Sequence, residues 1–398
     1  MTHRQLKTGY FTLTALNTIA SSYYFNYLFF FMRDRFGFGN KENLCITALH
    51  GLVYFIAAVQ CGKFAQRRGN LLSLKIGFAF LALSMVIGAV LESVVGLFVL
   101  VGGYTVALLF TWPALESLVS EGESRSGVQR MVGIYNCTWA ASAAFAFFTG
   151  GKLYDALGRG AIFWIPALLF AAQFTLTLWL ERQIPNVKRT QSASADVPCQ
   201  TDQDAVPVLI RAGVDPKIFL KMAWFASPFA YIAINTLLAI MPGIASQLGL
   251  SPTRVGLFCS IWFFGRFIAF AVLWKWAGWH YRFRWLIGAF ILLIGSFLAI
   301  PLARDLWIVV VAQVFLGFAT GLIYYSSLFY SMDVGEASSE HGGWHEAFIG
   351  VGIFAGPSLG ALALQLAPQK PDAGTWAVTG LLLIGLAGLA VLRLRKAG

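Results

Sequence analysis

The sequence has little charge and few cysteines, and it lacks any long polar region in which a soluble domain would fit. Only 12% of its 398 residues are charged, whereas 58% are hydrophobic, and the mean hydropathy is +0.69. These values exclude a water-soluble globular protein. The five cysteines are scattered and odd in number, which argues against a disulfide framework or a metal site. No glycine-rich nucleotide-binding motif is present, so we do not expect ATP to be the energy source.

Apolar segments of membrane-spanning length fill the chain instead. About twenty residues at 1.5 Å each cross the ~30 Å hydrocarbon layer, and in lipid each segment must satisfy its own backbone groups, as an α-helix does. We therefore predict an all-α membrane protein with twelve transmembrane helices. The predicted spans are 10–32, 44–65, 71–91, 97–119, 131–151, 161–181, 218–240, 254–276, 284–303, 306–330, 344–366 and 374–394.

Basic residues indicate the topology. The net charge is +11, and one set of alternate loops and termini holds twenty of the 29 Lys and Arg residues, against eight in the other set. The positive-inside rule then places both termini in the cytoplasm. This distribution accounts for the charge, so we expect no nucleic-acid partner. Short outer loops favour a bacterial inner membrane.

The longest polar segment divides the chain into two sets of six spans. We predict an N-terminal six-helix bundle over 1–181, a cytoplasmic linker over 182–217 and a C-terminal six-helix bundle over 218–398. A repeat at an offset of 210 positions supports this division, since small residues such as Ala140 and Gly350 occupy matching places in spans 5 and 11.

Polar residues avoid every third span. Spans 3, 6, 9 and 12 are nearly free of ionisable or amide side chains, whereas the other eight carry them. Two six-helix bundles around a central aqueous cavity would produce this distribution, as in transporters built from repeats.

The loop after span 2 carries a recognisable motif. It reads Gly-Lys-Phe-Ala-Gln-Arg-Arg-Gly-Asn over residues 62–70. This resembles the signature loop of the major facilitator superfamily, Gly-x-Leu-(Ala/Ser)-Asp-Arg-x-Gly-(Arg/Lys), at the expected place. Gln66 stands where the family has an acidic residue and Asn70 where it has a basic one. The resemblance implies two pseudo-symmetric bundles that expose a midplane site alternately to each side.

The resemblance also implies a gating loop. In the family the acidic residue joins a charge network that holds the outward-open state, and Gln66 cannot pair ionically, so a weaker latch is implied. The alternative is a basic turn that only obeys the positive-inside rule. The predicted gating residues are Gly62, Gln66, Arg67, Arg68 and Gly69.

Arg266 lies near the middle of span 8. A guanidinium at the centre of a bilayer costs about 2.5–3.5 kcal/mol on insertion scales, so we expect it to face a cavity and to have a partner. It either recognises an anionic or hydroxyl-rich solute or forms a structural ion pair with a carboxylate.

Three titratable residues are candidates for proton coupling. Glu116 lies toward the cytoplasmic end of span 4, and His345 and Glu346 begin span 11. A partly desolvated carboxylate can exchange protons near neutral pH, and histidine does so even when unperturbed. The alternative is that each carboxylate caps a helix or pairs with an arginine of the adjoining loops.

A polar and aromatic set completes the predicted solute site. Aromatic faces can stack on sugars or flat rings, while amides and hydroxyls orient them. For any one ring, packing in the core or against lipid is the alternative. With Arg266, the predicted substrate-binding residues are Tyr23, Tyr24, Asn26, Trp112, Asn136, Trp139, Asn235, Trp262, Tyr324 and Tyr325.

These features together predict a secondary transporter. We expect a monomer in the lipid bilayer that moves a small sugar-like or weakly anionic organic solute, with protons as the candidate coupling ion and no cofactor. Efflux of amphiphilic drug-like compounds by the same fold is the alternative. A multi-span enzyme, such as an acyltransferase using His345 and Glu346, is less favoured because the outer loops are only a few residues long.

Overall fold

The chain folds into a bundle of long helices. The computed structural model describes residues 2–123, 125–193, 216–334 and 339–394, and within these ranges it contains no strand. The α-helices are α1 (His3–Phe36), α2 (Asn40–Arg68), α3 (Asn70–Val90), α4 (Val94–Leu109), α5 (Trp112–Ser120), α6 (Arg125–Leu157), α7 (Ala161–Ala193), α8 (Pro216–Gln247), α9 (Pro252–Lys275), α10 (Phe283–Leu302), α11 (Leu306–Val334), α12 (Ser339–Leu366) and α13 (Ala373–Leu394).

Every predicted span coincides with a helix, and α4 and α5 together form the fourth. In the described ranges, eleven helical spans are long and apolar enough to cross a membrane. The remaining helix, α1, has 34 residues, but its Asn, Thr, Ser and Tyr side chains lower its hydropathy. The chain is thus an integral membrane protein with the predicted all-α architecture.

Helix boundaries follow from local sequence. Ser93 and Ser251 precede α4 and α9, and each side chain accepts a hydrogen bond from the first turn. Pro252 occupies the start of α9, where its missing N–H costs nothing. Helix α1 stops at Gly37, whose φ of +69° lies in the left-handed region that glycine adopts without strain.

The helices pack in two groups. Helices α1 to α7 form one group and α8 to α13 the other, and the two most extensive helix contacts among the described residues, α2 on α12 and α6 on α9, join the groups. We call these contacts the α2–α12 seam and the α6–α9 seam. Close backbone approach at both seams depends on glycine. A Cβ at Gly51 would lie 2.2 Å from the backbone nitrogen of Phe354, and one at Gly151 would lie 2.3 Å from the carbonyl oxygen of Pro252.

The predicted linker, residues 182–217, is only partly described. Helix α7 continues to Ala193 and α8 begins at Pro216, so both ends of the linker are helical. Residues 194–215 lie outside the described ranges. The division into bundles over 1–181 and 218–398 therefore stays a prediction.

Polar contacts join the two groups on the face opposite the chain termini. Arg33 of α1 lies 3.4 Å from the hydroxyl of Ser246 in α8. Asp155 of α6 accepts hydrogen bonds from the hydroxyl of Thr253 and, at 3.0 Å, from its backbone N–H. These contacts tie the two groups of helices together on this face.

Candidate binding site

A cavity of about 180 Å³ lies where the two groups of helices meet. Its lining comes from α1, α2, α4, α5, α6, α8, α9, α11 and α12. In the part of the chain that the structure describes, α3, α7, α10 and α13 contribute no lining residue. These four helices are spans 3, 6, 9 and 12, as the distribution of polar residues predicts.

Nine of the predicted solute and proton residues line this cavity. They come from both groups of helices, and they are Asn26, Trp112, Glu116, Trp139, Asn235, Trp262, Arg266, Tyr324 and Glu346. Residues that are far apart in the sequence therefore share one site. The amide of Asn26 is 1% exposed, and neither of its polar atoms has a hydrogen-bond partner in the described ranges.

The structure places the other five predicted residues away from the cavity lining. These residues are Tyr23, Tyr24, Asn136, Tyr325 and His345. Two of them pack on aromatic rings of neighbouring helices. Tyr24 packs on Tyr104, with ring centroids 4.6 Å apart, and Tyr325 packs on Phe270 at 5.9 Å.

Arg266 is buried among aromatic rings. Its Cζ lies 4.6 Å from the ring centroid of Trp139, 4.9 Å from Tyr324, 5.5 Å from Phe270 and 5.9 Å from Tyr231. The residue is 1% exposed, and its Nε and Nη2 have no hydrogen-bond partner among the described residues. No described carboxylate lies within 4.0 Å of the guanidinium, so the ion-pair alternative is not formed there.

Glycines on α11 let α9 bring this arginine to the cavity. A Cβ at Gly317 would lie 2.3 Å from the carbonyl oxygen of Trp262 and 2.9 Å from the backbone nitrogen of Arg266. A Cβ at Gly321 would lie 2.8 Å from the side chain of Ala269. Small residues allow such close helix packing in membranes. The backbone of α9 at Arg266 is therefore held in place by close contact with the backbone of α11.

One of the two carboxyl groups lies at the α2–α12 seam and the other beside it, on α5. Tyr54 of α2 donates a hydrogen bond to Glu346 of α12, which is 5% exposed. Glu116 belongs to α5, lines the same cavity and is half-buried. Neither glutamate has a basic group within 4.0 Å in the described ranges, which leave out the side chain of Arg125. Those ranges also contain no cluster of three His, Cys, Asp or Glu that could hold a metal.

A break in the fourth span presents Trp112 and Glu116 to the cavity. Pro113 has no N–H to donate to the carbonyl of Leu109, where α4 ends, and α5 starts at Trp112. Side chains satisfy the exposed backbone: Ser73 donates to the carbonyl of Phe110 at 2.6 Å. The span predicted as one helix is therefore two helices joined by a turn.

Sequence reasoning missed several lining residues, notably Tyr54, Tyr135 and Tyr231. Tyr231 lies one helical turn before Asn235, whose amide donates to its carbonyl at 3.0 Å. That spacing puts both residues on one face of α8, which is a signal present in the sequence. His50 also lines the cavity, and its Nδ1 lies 2.7 Å from the hydroxyl of Thr105.

The predicted gating residues lie at the end of α2. Gly62 is buried, whereas Gln66, Arg67 and Arg68 are exposed. Gly69 ends the helix with a φ of +97°, and its N–H donates to the carbonyl of Ala65. These positions leave the basic side chains at the membrane boundary.

Comparison with known proteins gives the same architecture. Residues 10–227 match the family model of the Major Facilitator Superfamily. No curated protein matches the sequence.

Three solved structures share the fold over nearly the whole chain. The human organic anion transporter MFSD10 (TETRAN) has 15% identity and a TM-score of 0.66, with 97% of this chain and 99% of the other covered. The nucleoside transporter NupG has 14% identity and a TM-score of 0.67, covering 97% and 98%. A bacterial homologue of the human lysosomal transporter Spinster, inward-facing and occupied, has 12% identity and a TM-score of 0.64, covering 98% and 95%. At these identities the likeness establishes the fold.

Proposed function

The chain belongs to the major facilitator superfamily, and from this premise we propose that it is a proton-coupled secondary transporter of a small, flat organic anion. The termini face the cytoplasm of a bacterial cell in this proposal, because basic residues are concentrated in the loops on their side. Membership of this family favours a transporter over the acyltransferase alternative, whose His345 is not among the residues that line the cavity.

The observation that carries the proposal is the buried guanidinium of Arg266, which has no carboxylate within 4.0 Å in the described ranges. Removing a charge from water is costly unless an opposite charge or good hydrogen bonds replace the lost hydration. The four surrounding rings supply cation–π attraction, but Nε and Nη2 have no conventional hydrogen-bond acceptor among the described residues. A carboxylate or phosphate on the solute would accept both.

Aromatic side chains give the solute its expected shape. Trp139 and Tyr324 lie nearly parallel, with an interplanar angle of 8° and ring centroids 6.1 Å apart. Tyr135 and Tyr231 also line the cavity. Offset stacking on such rings favours a planar solute over a fully aliphatic one. An aromatic carboxylate combines the planar ring with the anionic group.

The acidic end of the cavity supports coupling to protons. Glu116 and Glu346 share one small cavity and have no cationic partner in the described ranges. Two carboxylates so placed cannot both carry a charge without a large free-energy cost. Proton uptake at this end would therefore accompany the state in which the cavity is closed to water, and release would follow its opening.

Alternating access would require the two groups of helices to move. The cavity of about 180 Å³ is smaller than the roughly 300–1,000 Å³ of common ligand pockets, so a solute enters only when it widens. Opening toward the face opposite the termini must break the contacts of Arg33 with Ser246 and of Asp155 with Thr253. We infer that these contacts close that face during one half of the transport cycle.

Thermal unfolding of the purified protein in detergent tests the solute class. A ligand at a hundred times its dissociation constant adds about 2.7 kcal/mol to the free energy of unfolding. We expect aromatic carboxylates to raise the unfolding midpoint, their neutral amide analogues to have little effect, and the shift to depend on pH. Arg266→Gln should lose the shift, Arg266→Lys should keep part of it, and Arg254→Gln, at an exposed site, should keep all of it.

The opposite pattern would reject the anion proposal. If neutral sugars or nucleosides stabilise the protein as well as the carboxylates do, the guanidinium does not select charge. If Arg266→Gln binds the carboxylate with unchanged affinity, the anion does not contact this residue.

A further inference from the structure

Two pockets meet on the outer surface of α2, away from the central cavity. The first, of about 440 Å³, is lined by Gln60, Lys63, Phe64, Arg67 and Arg68 at the end of the helix. The second, of about 420 Å³, runs between α2 and α4 and is mostly apolar. Gln60 and Phe64 line both pockets, so the basic pocket continues into the apolar groove.

We propose that this composite site binds one anionic phospholipid, with its phosphate among the basic side chains and an acyl chain in the groove. Lys63, Arg67 and Arg68 are exposed, and none has a carboxylate within 4.0 Å in the described ranges. A guanidinium group can donate two parallel hydrogen bonds to the oxygens of one phosphate. Basic residues beside a transmembrane helix also attract anionic lipid.

Gln66 explains why the lipid should be anionic. The family pattern has an acidic residue at this position, where it would offset the neighbouring arginines and repel a phosphate. The uncharged amide of Gln66 leaves the positive charge of Lys63, Arg67 and Arg68 uncompensated in the described ranges. A lipid with a net negative charge is then preferred over a zwitterionic one.

The groove suits an acyl chain because it lies within the membrane-spanning part of α2. Ile56 is 53% exposed and Val106 is 38% exposed, although both are hydrophobic. The small side chain of Ala57 leaves room between them. Phe64 and Phe110 meet edge to face, with ring centroids 5.3 Å apart, where the groove joins the basic pocket. A free anion would use the basic pocket alone, whereas a phospholipid uses both.

Native mass spectrometry of the full chain in detergent tests the headgroup. We expect the protein to retain phosphatidylglycerol at least about five times better than phosphatidylcholine, and the double variant Arg67→Gln/Arg68→Gln to lose this preference. The matched control, Arg282→Gln/Arg284→Gln, removes two exposed charges from the same face and should keep it. Equal loss in both variants, or no loss in the first, overturns the proposal.

A second comparison separates a lipid from a free anion. Val106→Trp and Ile56→Trp each fill the groove from a different helix. Either variant can be used for this test if its unfolding midpoint without lipid equals that of the wild type. We expect the filled groove to lower phosphatidylglycerol retention about fivefold. If glycerophosphate, which has no acyl chains, competes as well as intact lipid, or if groove filling changes nothing, the site is an anion pocket and the lipid proposal is wrong.

Discussion

The α2–α12 and α6–α9 seams are packed alike but carry different chemistry. At the first, a Cβ on Gly51 or Gly350 would collide with the backbone of the partner helix, and at the second the same holds for Gly151 and Gly256. Both seams therefore depend on glycine for close contact between helix backbones. The packing of α2 on α12 and of α6 on α9 is what the repeat predicted from the sequence would produce, since spans 5 and 11 correspond in it.

The polar side chains at the two seams are not duplicated. Tyr54 binds the carboxyl group of Glu346 across the α2–α12 seam, whereas Trp139 covers the guanidinium of Arg266 across the α6–α9 seam. One seam thus holds the acidic end of the cavity and the other holds its cationic end. In the proposed transport cycle, rocking of the two groups of helices would change the surroundings of each end separately.

The largest expected effect comes from disrupting the packing itself. In Gly51→Ala the new Cβ would lie 2.2 Å from the backbone nitrogen of Phe354, which cannot move aside as a flexible side chain can. Overpacking of this kind typically costs about 1–3 kcal/mol. We expect a lower unfolding midpoint and loss of solute uptake in proteoliposomes.

Gly380→Ala is the matched control for this substitution. Gly380 lies in α13 with no atom within 4 Å of a built Cβ, so alanine should be tolerated and should slightly favour the helix. Gly151→Ala should reproduce the defect at the other seam. If Gly51→Ala behaves like Gly380→Ala, the seam is not as closely packed as the distances indicate.

A smaller and more selective effect is expected at the acidic end. Glu346→Gln keeps the shape of a protonated carboxyl group, so anion binding should persist while accumulation driven by a pH gradient is lost. Tyr54→Phe removes one hydrogen bond to the carboxyl group, worth about 1.5–3 kcal/mol when that group is charged, and should shift the pH dependence without abolishing transport.

Uptake into proteoliposomes at matched and opposed pH gradients measures this effect. Glu92→Gln, which removes a carboxylate at an exposed site, should leave uptake unchanged. Gradient-driven accumulation that survives in both Glu346→Gln and Glu116→Gln would exclude these residues as the proton carriers.

The fold could be predicted from the sequence because hydrophobic length is a local property. Each membrane span can be recognised from the hydropathy of its own residues alone. Even the break in the fourth span at Pro113 follows from the N–H that proline lacks. The cavity required one further step: polar residues in eight spans indicate which helices surround it. Arg266 and Glu346 were found in this way because an ionisable side chain in a span has few other places to lie.

The choice among aromatic residues could not be made from the sequence. In α1, Asn26 lines the cavity while Tyr23 and Tyr24 pack among side chains of the same group of helices. All three residues lie within one turn of α1, and their hydropathy does not show which of them faces the cavity. That orientation depends on how α1 is rotated about its axis, which only its contacts with other helices determine. Tyr231 was missed for the same reason, although its spacing from Asn235 places the two on one face.

The smallest expected effect isolates what the α6–α9 seam adds to anion binding. Trp139 belongs to α6, whereas Tyr231, Phe270 and Tyr324 come from the same group of helices as Arg266. Trp139→Leu removes one cation–π contact worth about 0.5–2 kcal/mol, and because this contact also exists in the free protein, we expect the affinity for the anion to fall by no more than roughly thirtyfold. Isothermal titration with the carboxylate that stabilises the protein measures this change.

Trp307→Leu is the control, because Trp307 is 75% exposed at the start of α11. A loss in Trp139→Leu as large as that in Arg266→Gln would mean that the tryptophan holds the seam together, since one ring among four cannot account for the whole of the charge recognition. A modest loss of affinity in Trp139→Leu, with unchanged pH dependence, would instead support separate roles for the two ends of the cavity. The guanidinium would then select the solute and the carboxylates would bind the proton.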